Sequence, residues 1–245
     1  MHGEFQRRFV SDPGAVTFAH LATAYAVAGN KEAARRCRKQ ALFLAAETRH
    51  PHTSANVLGV LTISAFHMGE AGAAAALARG CREVSTREGF TYWCVRSNII
   101  LAWEASLQNS AGGVDSMRAA LDAYVATGSS RAAVFSACLA ATVALDAGQP
   151  KDAIDFLAPV RDAGERHGEW LYMPDVRRLE AWAMVEIDAG RAVDARHMLD
   201  AAEVMSREHG SAALQARIEA TRALVEKLAR RGPKATRALA VTTTQ

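Results

Sequence analysis

Glycine recurs along this chain in two interleaved series that share one period, and no other feature constrains the fold as tightly. Gly29, Gly69, Gly148 and Gly190 each mark a short A-G-x-x-x-A or related break. The breaks read Ala28-Gly29-Asn30 leading to Ala33, Met68-Gly69-Glu70 to Ala73, Ala147-Gly148-Gln149 to Ala153, and Ala189-Gly190-Arg191 to Ala195. Gly29 to Gly69 is 40 positions and Gly148 to Gly190 is 42. The second series, Gly89, Gly128, Gly168 and Gly210, is spaced 39, 40 and 42. Glycine tolerates the left-handed backbone that ends a helix, so it belongs just past a last turn. Two such series with one period mean a repeated helix-turn-helix unit.

Between the marks the sequence predicts pairs of helices. The first of each pair falls near 17–28, 53–68, 91–107, 130–147 and 170–189, and the partners near 31–48, 70–88, 113–127, 151–167 and 192–209. A last helix near 211–230 caps the stack. The expected fold is all-α, a tetratricopeptide-like α-solenoid of about five helix pairs plus a C-terminal capping helix. It spans 12–230, after a leader at 1–11 and before a disordered basic, Thr-rich tail at 231–245.

The two kinds of helix differ in pattern. Residues 31–48 place Ala34, Cys37, Ala41 and Leu44 on one stripe and Lys31, Arg35, Arg38 and Lys39 off it, which predicts a solvated face. Residues 130–147, through Val134, Phe135, Cys138, Leu139, Val143 and Leu145, are apolar nearly all round. Such a helix has to be covered on several sides, as an inner helix is. Pro159 interrupts the helix near 151–167, where a lost hydrogen bond costs about 3 kcal/mol, so a kink or early break is expected.

Charge narrows the choice of partner. The net charge of +3 falls to −1 once Arg230, Arg231, Lys234 and Arg237 of the tail are set aside, so the repeats lack the basic footprint of a nucleic-acid binder. No run approaches the ~20 apolar residues of a membrane span, and Met1 to Phe9 lacks the apolar stretch of a signal peptide. A cytoplasmic location is the expectation. Cys37, Cys81, Cys94 and Cys138 form no C-x-x-C pair and read as reduced thiols.

Several short motifs point to a family. They are Asp12-Pro13-Gly14-Ala15-Val16 before an Ala-rich helix, His50-Pro51-His52-Thr53-Ser54, Glu88-Gly89-Phe90 with Trp93, Gly168-Glu169-Trp170, and Asp175-Val176-Arg177-Arg178-Leu179. In this order they resemble the C-terminal repeat region of large bacterial signalling proteins. Those proteins join a class III adenylate or guanylate cyclase domain, or a transcriptional activator domain, to a STAND-type ATPase and then to tetratricopeptide-like repeats. The resemblance covers roughly residues 12–228 and departs at Ala181, where the family tends to have Gly, and at Asn109, where a unit-breaking Gly is expected. It implies docking or sensing of a partner and regulation of attached domains. The cyclase and ATPase activities belong to domains that these residues do not contain.

A search for chemistry is negative. The chain has no G-x-x-x-x-G-K-[ST] loop, no H-E-x-x-H and no G-x-S-x-G, so no cofactor, metal or catalytic residue is predicted. His50 and His52 flank Pro51 and lack a third ligand. Asp175 with Arg178, and Glu165 beside Arg166, read as braces on a helix surface worth a few tenths of a kcal/mol. The candidate binding residues are polar groups on otherwise apolar inner helices, on the concave side: Asn56, Arg96, Asn98, Arg177 and Arg178. Trp93 and Trp170 either pack between units or anchor a bound peptide. The expected partner is a protein or peptide, with a small signal molecule held in the groove as the alternative. An apolar face near residues 15–28 is expected to be exposed and could support self-association.

Overall fold

A computed structural model describes residues 10–108, 112–167 and 170–230, the side chains of 162–167 excepted. Residues 1–9 of the leader, the tail, Asn109, Gly168, Glu169 and the Glu165 and Arg166 side chains lie outside the described residues.

Within them the chain is all-helical, without a strand. The eleven helices are α1 (Pro13–Val27), α2 (Lys31–Thr48), α3 (Pro51–His67), α4 (Ala71–Glu88), α5 (Thr91–Ser106), α6 (Gly113–Val125), α7 (Ala133–Asp146), α8 (Pro150–His167), α9 (Met173–Ile187), α10 (Ala192–Glu208) and α11 (Ala212–Arg230). Each packs on its successor, and each odd helix also packs on the next odd one, so the odd helices form an inner layer and the even helices an outer layer. The last inner helix returns to the first: α11 touches α1, and a Cβ built on Gly29 comes 3.1 Å from the Ala212 methyl.

The glycine marks work as expected at most positions. Gly29, Gly69, Gly89, Gly128, Gly148 and Gly210 all have positive φ, between 62° and 81°. After Gly29, Asn30 N–H reaches back to Tyr25 C=O. Glu70 to Ala65, Gln149 to Ala144 and Ser211 to Ser206 repeat that closure. Gly190 differs. It lies in the 3₁₀ turn Ala189–Arg191, where Asp188 Oδ1 accepts its N–H at 2.9 Å, and it needs no left-handed backbone.

Two inner helices start earlier than the periodicity predicts, because proline occupies their first turn after a capping side chain. Asp12 Oδ1 accepts Ala15 N–H at 2.8 Å and starts α1 at Pro13, while His50 Nδ1 accepts Thr53 N–H at 3.3 Å and starts α3 at Pro51. These starts are joined to one another. Asp12 N–H donates to Thr53 Oγ1 at 2.9 Å, Ser11 Oγ lies 2.8 Å from His52 Nδ1, and His52 packs edge-on to Phe90 before α5. His50 and His52 are therefore helix-start residues with protein partners. The expected break at Pro159 is absent, and α8 runs on to His167. Pro159 and Asp155, whose carbonyl loses its donor, are both exposed, so water can take up the freed group.

Layering follows from side-chain size. On α1, Ala15, Ala19, Ala22 and Ala26 form a fully buried stripe that lets α2 and α3 approach closely. The α7 helix buries Val134 to Ala141 without interruption, and Val143 to Leu145 after them, as the centre of the largest core. A leucine truncation there, such as Leu139→Ala, costs about 2–5 kcal/mol. The outer α2 keeps Lys31, Arg35 and Lys39 in solvent, and Arg35 and Arg38 share Glu70 at the start of α4, each at 2.7 Å. Of the apolar face expected at 15–28, Leu21 and Tyr25 remain 39% exposed.

Candidate functional site

Polar side chains on the inner layer gather in two neighbourhoods. The first is a buried knot where α3, α9 and α11 meet. Asp175, 3% exposed, accepts Arg178 Nε at 2.6 Å through Oδ1, and its Oδ2 lies 3.5 Å from Arg217 Nη1. Arg178 Nη1 donates to Thr221 Oγ1 at 3.0 Å. Arg217 Nη2 lies 3.2 Å from His67 Nδ1, and His67 Nε2 lies 3.2 Å from the Tyr172 hydroxyl. The His67 and Tyr172 rings stack at 5.8 Å, and the Arg217 guanidinium lies 4.3 Å from the centre of the Phe66 ring.

Electrostatics fix the protonation of this knot. Burial pushes the His67 pKa down to about 3, with the Arg217 charge acting the same way, so the imidazole is neutral. Its Nδ1 then accepts from Arg217 and its Nε2–H donates to Tyr172. Burial opposes ionisation of Asp175, but Arg178 and Arg217 outweigh it and hold the carboxyl below the usual range. Burial raises the Tyr172 phenol, which stays protonated. Every polar group in this chain of contacts has a partner, and its chemistry is that of a clamp.

The second neighbourhood surrounds Arg96 on α5. The residue is 8% exposed, and its guanidinium lies 5.8 Å from the Tyr92 ring centre and 5.5 Å from that of Trp93. No acidic partner approaches it among the described residues. Burial lowers the pKa of His20 on α1, and the Arg131 and Arg96 charges lower it further. His20 is itself open to solvent. α1 and α5 both pack on α3, and the Arg96 charge reaches His20 from the next inner helix but one.

Comparison of the chain with protein-family models, curated proteins and solved structures finds no match.

The seven residues chosen from sequence fall in different settings. Arg178 belongs to the knot, which corrects its reading as half of a surface brace: its side chain is 7% exposed and that of Asp175 is 4%. Trp93 is sealed in the seam between α3 and α5, where a Cβ on Gly59 would sit 2.5 Å from its ring. Trp170 is 47% exposed in the 3₁₀ turn before α9. Asn56 donates to Ser11 Oγ at 3.2 Å, and Asn98 and Arg177 are half-buried. Arg96 alone of the seven combines burial with an open charge.

Sequence reasoning missed His67, Tyr172, Arg217, His20 and Arg131. A histidine ending the apolar run of α3 two residues before Gly69 was the available signal for the first of these. Arg217 looked like one more cation on a capping helix, and only the return of α11 toward α1 gives it an interior role.

Proposed function

We propose that this chain is a non-catalytic protein–protein interaction module, a tetratricopeptide-like α-solenoid that docks a protein or peptide on its inner layer and regulates the activity of what it joins or binds. The observation that carries the reading is the contrast between a fully matched interior clamp and Arg96, a buried cation on the same layer that lacks an acidic partner among the described residues. Paired helices in two layers support the scaffold role, since that arrangement offers an extended inner surface. The resemblance to the repeat region of bacterial cyclase and STAND ATPase proteins supports a place in cytoplasmic signal transduction. Among the described residues no helix is long and apolar enough to cross a membrane. Leu21 and Tyr25 on α1 are the residues through which two copies would associate.

The test is affinity capture with the full chain and with the triple variant Asn56→Ala, Asn98→Ala, Arg177→Ala, which leaves the clamp intact. A protein or peptide retained by the full chain and lost by the variant supports docking on the inner layer. Equal retention by a folded variant removes that face from the reading. The second reading, a receptor for a small signal molecule, is favoured by the solvent access of His20 beside Arg96. Dose-dependent thermal stabilisation by a small-molecule extract distinguishes it.

A further inference from the structure

Two arginines are buried to better than nine-tenths on the inner layer, and they are treated differently. Arg178 has its carboxylate. Arg96 has two aromatic rings and, among the described residues, nothing anionic. An arginine cannot discharge itself by losing a proton, so its burial has to be compensated by contacts. Stacking on rings satisfies the faces of the guanidinium plane and leaves its N–H edges, which need acceptors in that plane. None of its nitrogens is among the polar atoms sealed from solvent, so the edges look into accessible space.

The surroundings add to the charge rather than cancelling it. Arg131 sits in the turn before α7, where the Tyr124 hydroxyl donates to the Arg131 carbonyl and Ala132 is held in the left-handed conformation with φ 60°. That conformation is unfavourable for a non-glycine residue, so the surrounding contacts have to hold the turn. Arg131 and His20 are exposed, and the Arg131 and Arg96 charges both act on the His20 imidazole. Asp175 in the adjoining knot is already engaged by Arg178 and Arg217. The Arg131 and Arg96 charges thus reinforce one another around His20, beside the edge of the Arg96 guanidinium.

We propose that the free edge of the Arg96 guanidinium binds a single anionic group, a carboxylate or a phosphate, gripping it through its in-plane N–H groups while Tyr92 and Trp93 hold the guanidinium in place and Arg131 and His20 add to the positive field. The proposal rests on the docking reading only in taking the inner layer as the bound face. A peptide supplies a carboxylate, and a small phosphorylated molecule supplies a phosphate.

The experiment is an NMR titration of the full ¹⁵N-labelled chain, following the Arg96 Nε–Hε signal, identified by its loss in Arg96→Gln. The probes are inorganic phosphate and acetate, each against sodium chloride at matched ionic strength. Saturable movement of the Arg96 signal is expected, with an upward shift of the His20 titration as the bound anion offsets Arg96 and Arg131. Saturation by phosphate alone assigns a phosphorylated ligand, and saturation by acetate alone a carboxylate. Arg96→Gln is expected to lower the affinity about 10- to 100-fold, the range for a charged hydrogen-bonding pair, and Arg131→Gln about 3-fold. Arg131 is exposed, so its variant keeps the test valid if Arg96→Gln does not fold. Shifts that only track ionic strength with both probes overturn the proposal. If the triple variant still loses its captured partner in that case, the docking reading stands without it.

Discussion

The knot and the Arg96 neighbourhood use the same residue type on the same layer of helices to opposite ends. At Asp175, two arginines from α9 and α11 converge on one carboxylate, and a neutral histidine and a phenol extend the chain of contacts to α3. At Arg96 the cation is held by rings, and among the described residues no acid pairs with it. Burial therefore does not by itself say what an interior arginine is for. A paired one ties helices together, and removing its partner strands a charge. An unpaired one adds little to the fold and is available to something else.

The largest effect should come from breaking the matched side. Asp175→Ala leaves Arg178 and Arg217 buried without their carboxylate and is expected to destabilise the chain by about 3–5 kcal/mol in urea unfolding. A loss below about 1 kcal/mol would make the knot an ornament of the fold instead of a clamp. The next effect unseats Arg96 from beneath. At Gly59 a methyl would meet Trp93 Cε3 at 2.5 Å and Cζ3 at 2.6 Å, so Gly59→Ala has to shift the ring on which Arg96 rests. The expected cost is about 1–3 kcal/mol, and the same variant should weaken anion binding at Arg96 without touching the knot.

These predictions also mark what the sequence could disclose. The repeat was legible because glycine at a helix end and alanine at a close crossing are local requirements, and six of the marks do carry left-handed backbone. The all-round apolar pattern of α7 correctly placed it inside. Pro159 misled because the rule for an interrupted helix omits exposure: water can compensate Asp155 on an outer face. The candidate site was legible only as a set of polar exceptions on inner helices. Which exceptions are paired depends on partners about 40 to 150 positions away, as with Arg178 and Thr221 or His67 and Arg217, and periodicity carries no information on that.

A pH titration sharpens the comparison. His67 has a folded pKa of about 3 against 6.5 for an unperturbed imidazole. A depressed histidine binds its proton in the unfolded chain first, so its contribution is complete above pH 6.5 and is lost as pH falls toward 3. Between pH 7 and pH 5 the loss is expected to be about 2 kcal/mol. His67→Gln should remove that share of the slope, measured as the difference between the two urea-unfolding profiles. An unchanged slope would mean that His67 keeps an ordinary imidazole pKa in the fold and that its Nδ1 is not held as a neutral acceptor for Arg217.

The smallest effect is the most discriminating. Arg96→Gln removes a buried charge that has no acid to strand, so it gives up the attraction of Tyr92 and Trp93, about 0.5–2 kcal/mol, and is relieved of a desolvation penalty of several kcal/mol. These changes oppose each other, and the net is expected within about 0.5 kcal/mol of the parent, or on the stabilising side. Arg178→Gln, made at the same depth in the same layer, should cost about 3–5 kcal/mol because it leaves Asp175 with only the 3.5 Å contact to Arg217. Two substitutions of one kind, run in one urea series, therefore separate an arginine that holds the fold from one that the fold holds ready. Equal losses would place Arg96 among the structural residues and leave the inner layer without an open charge.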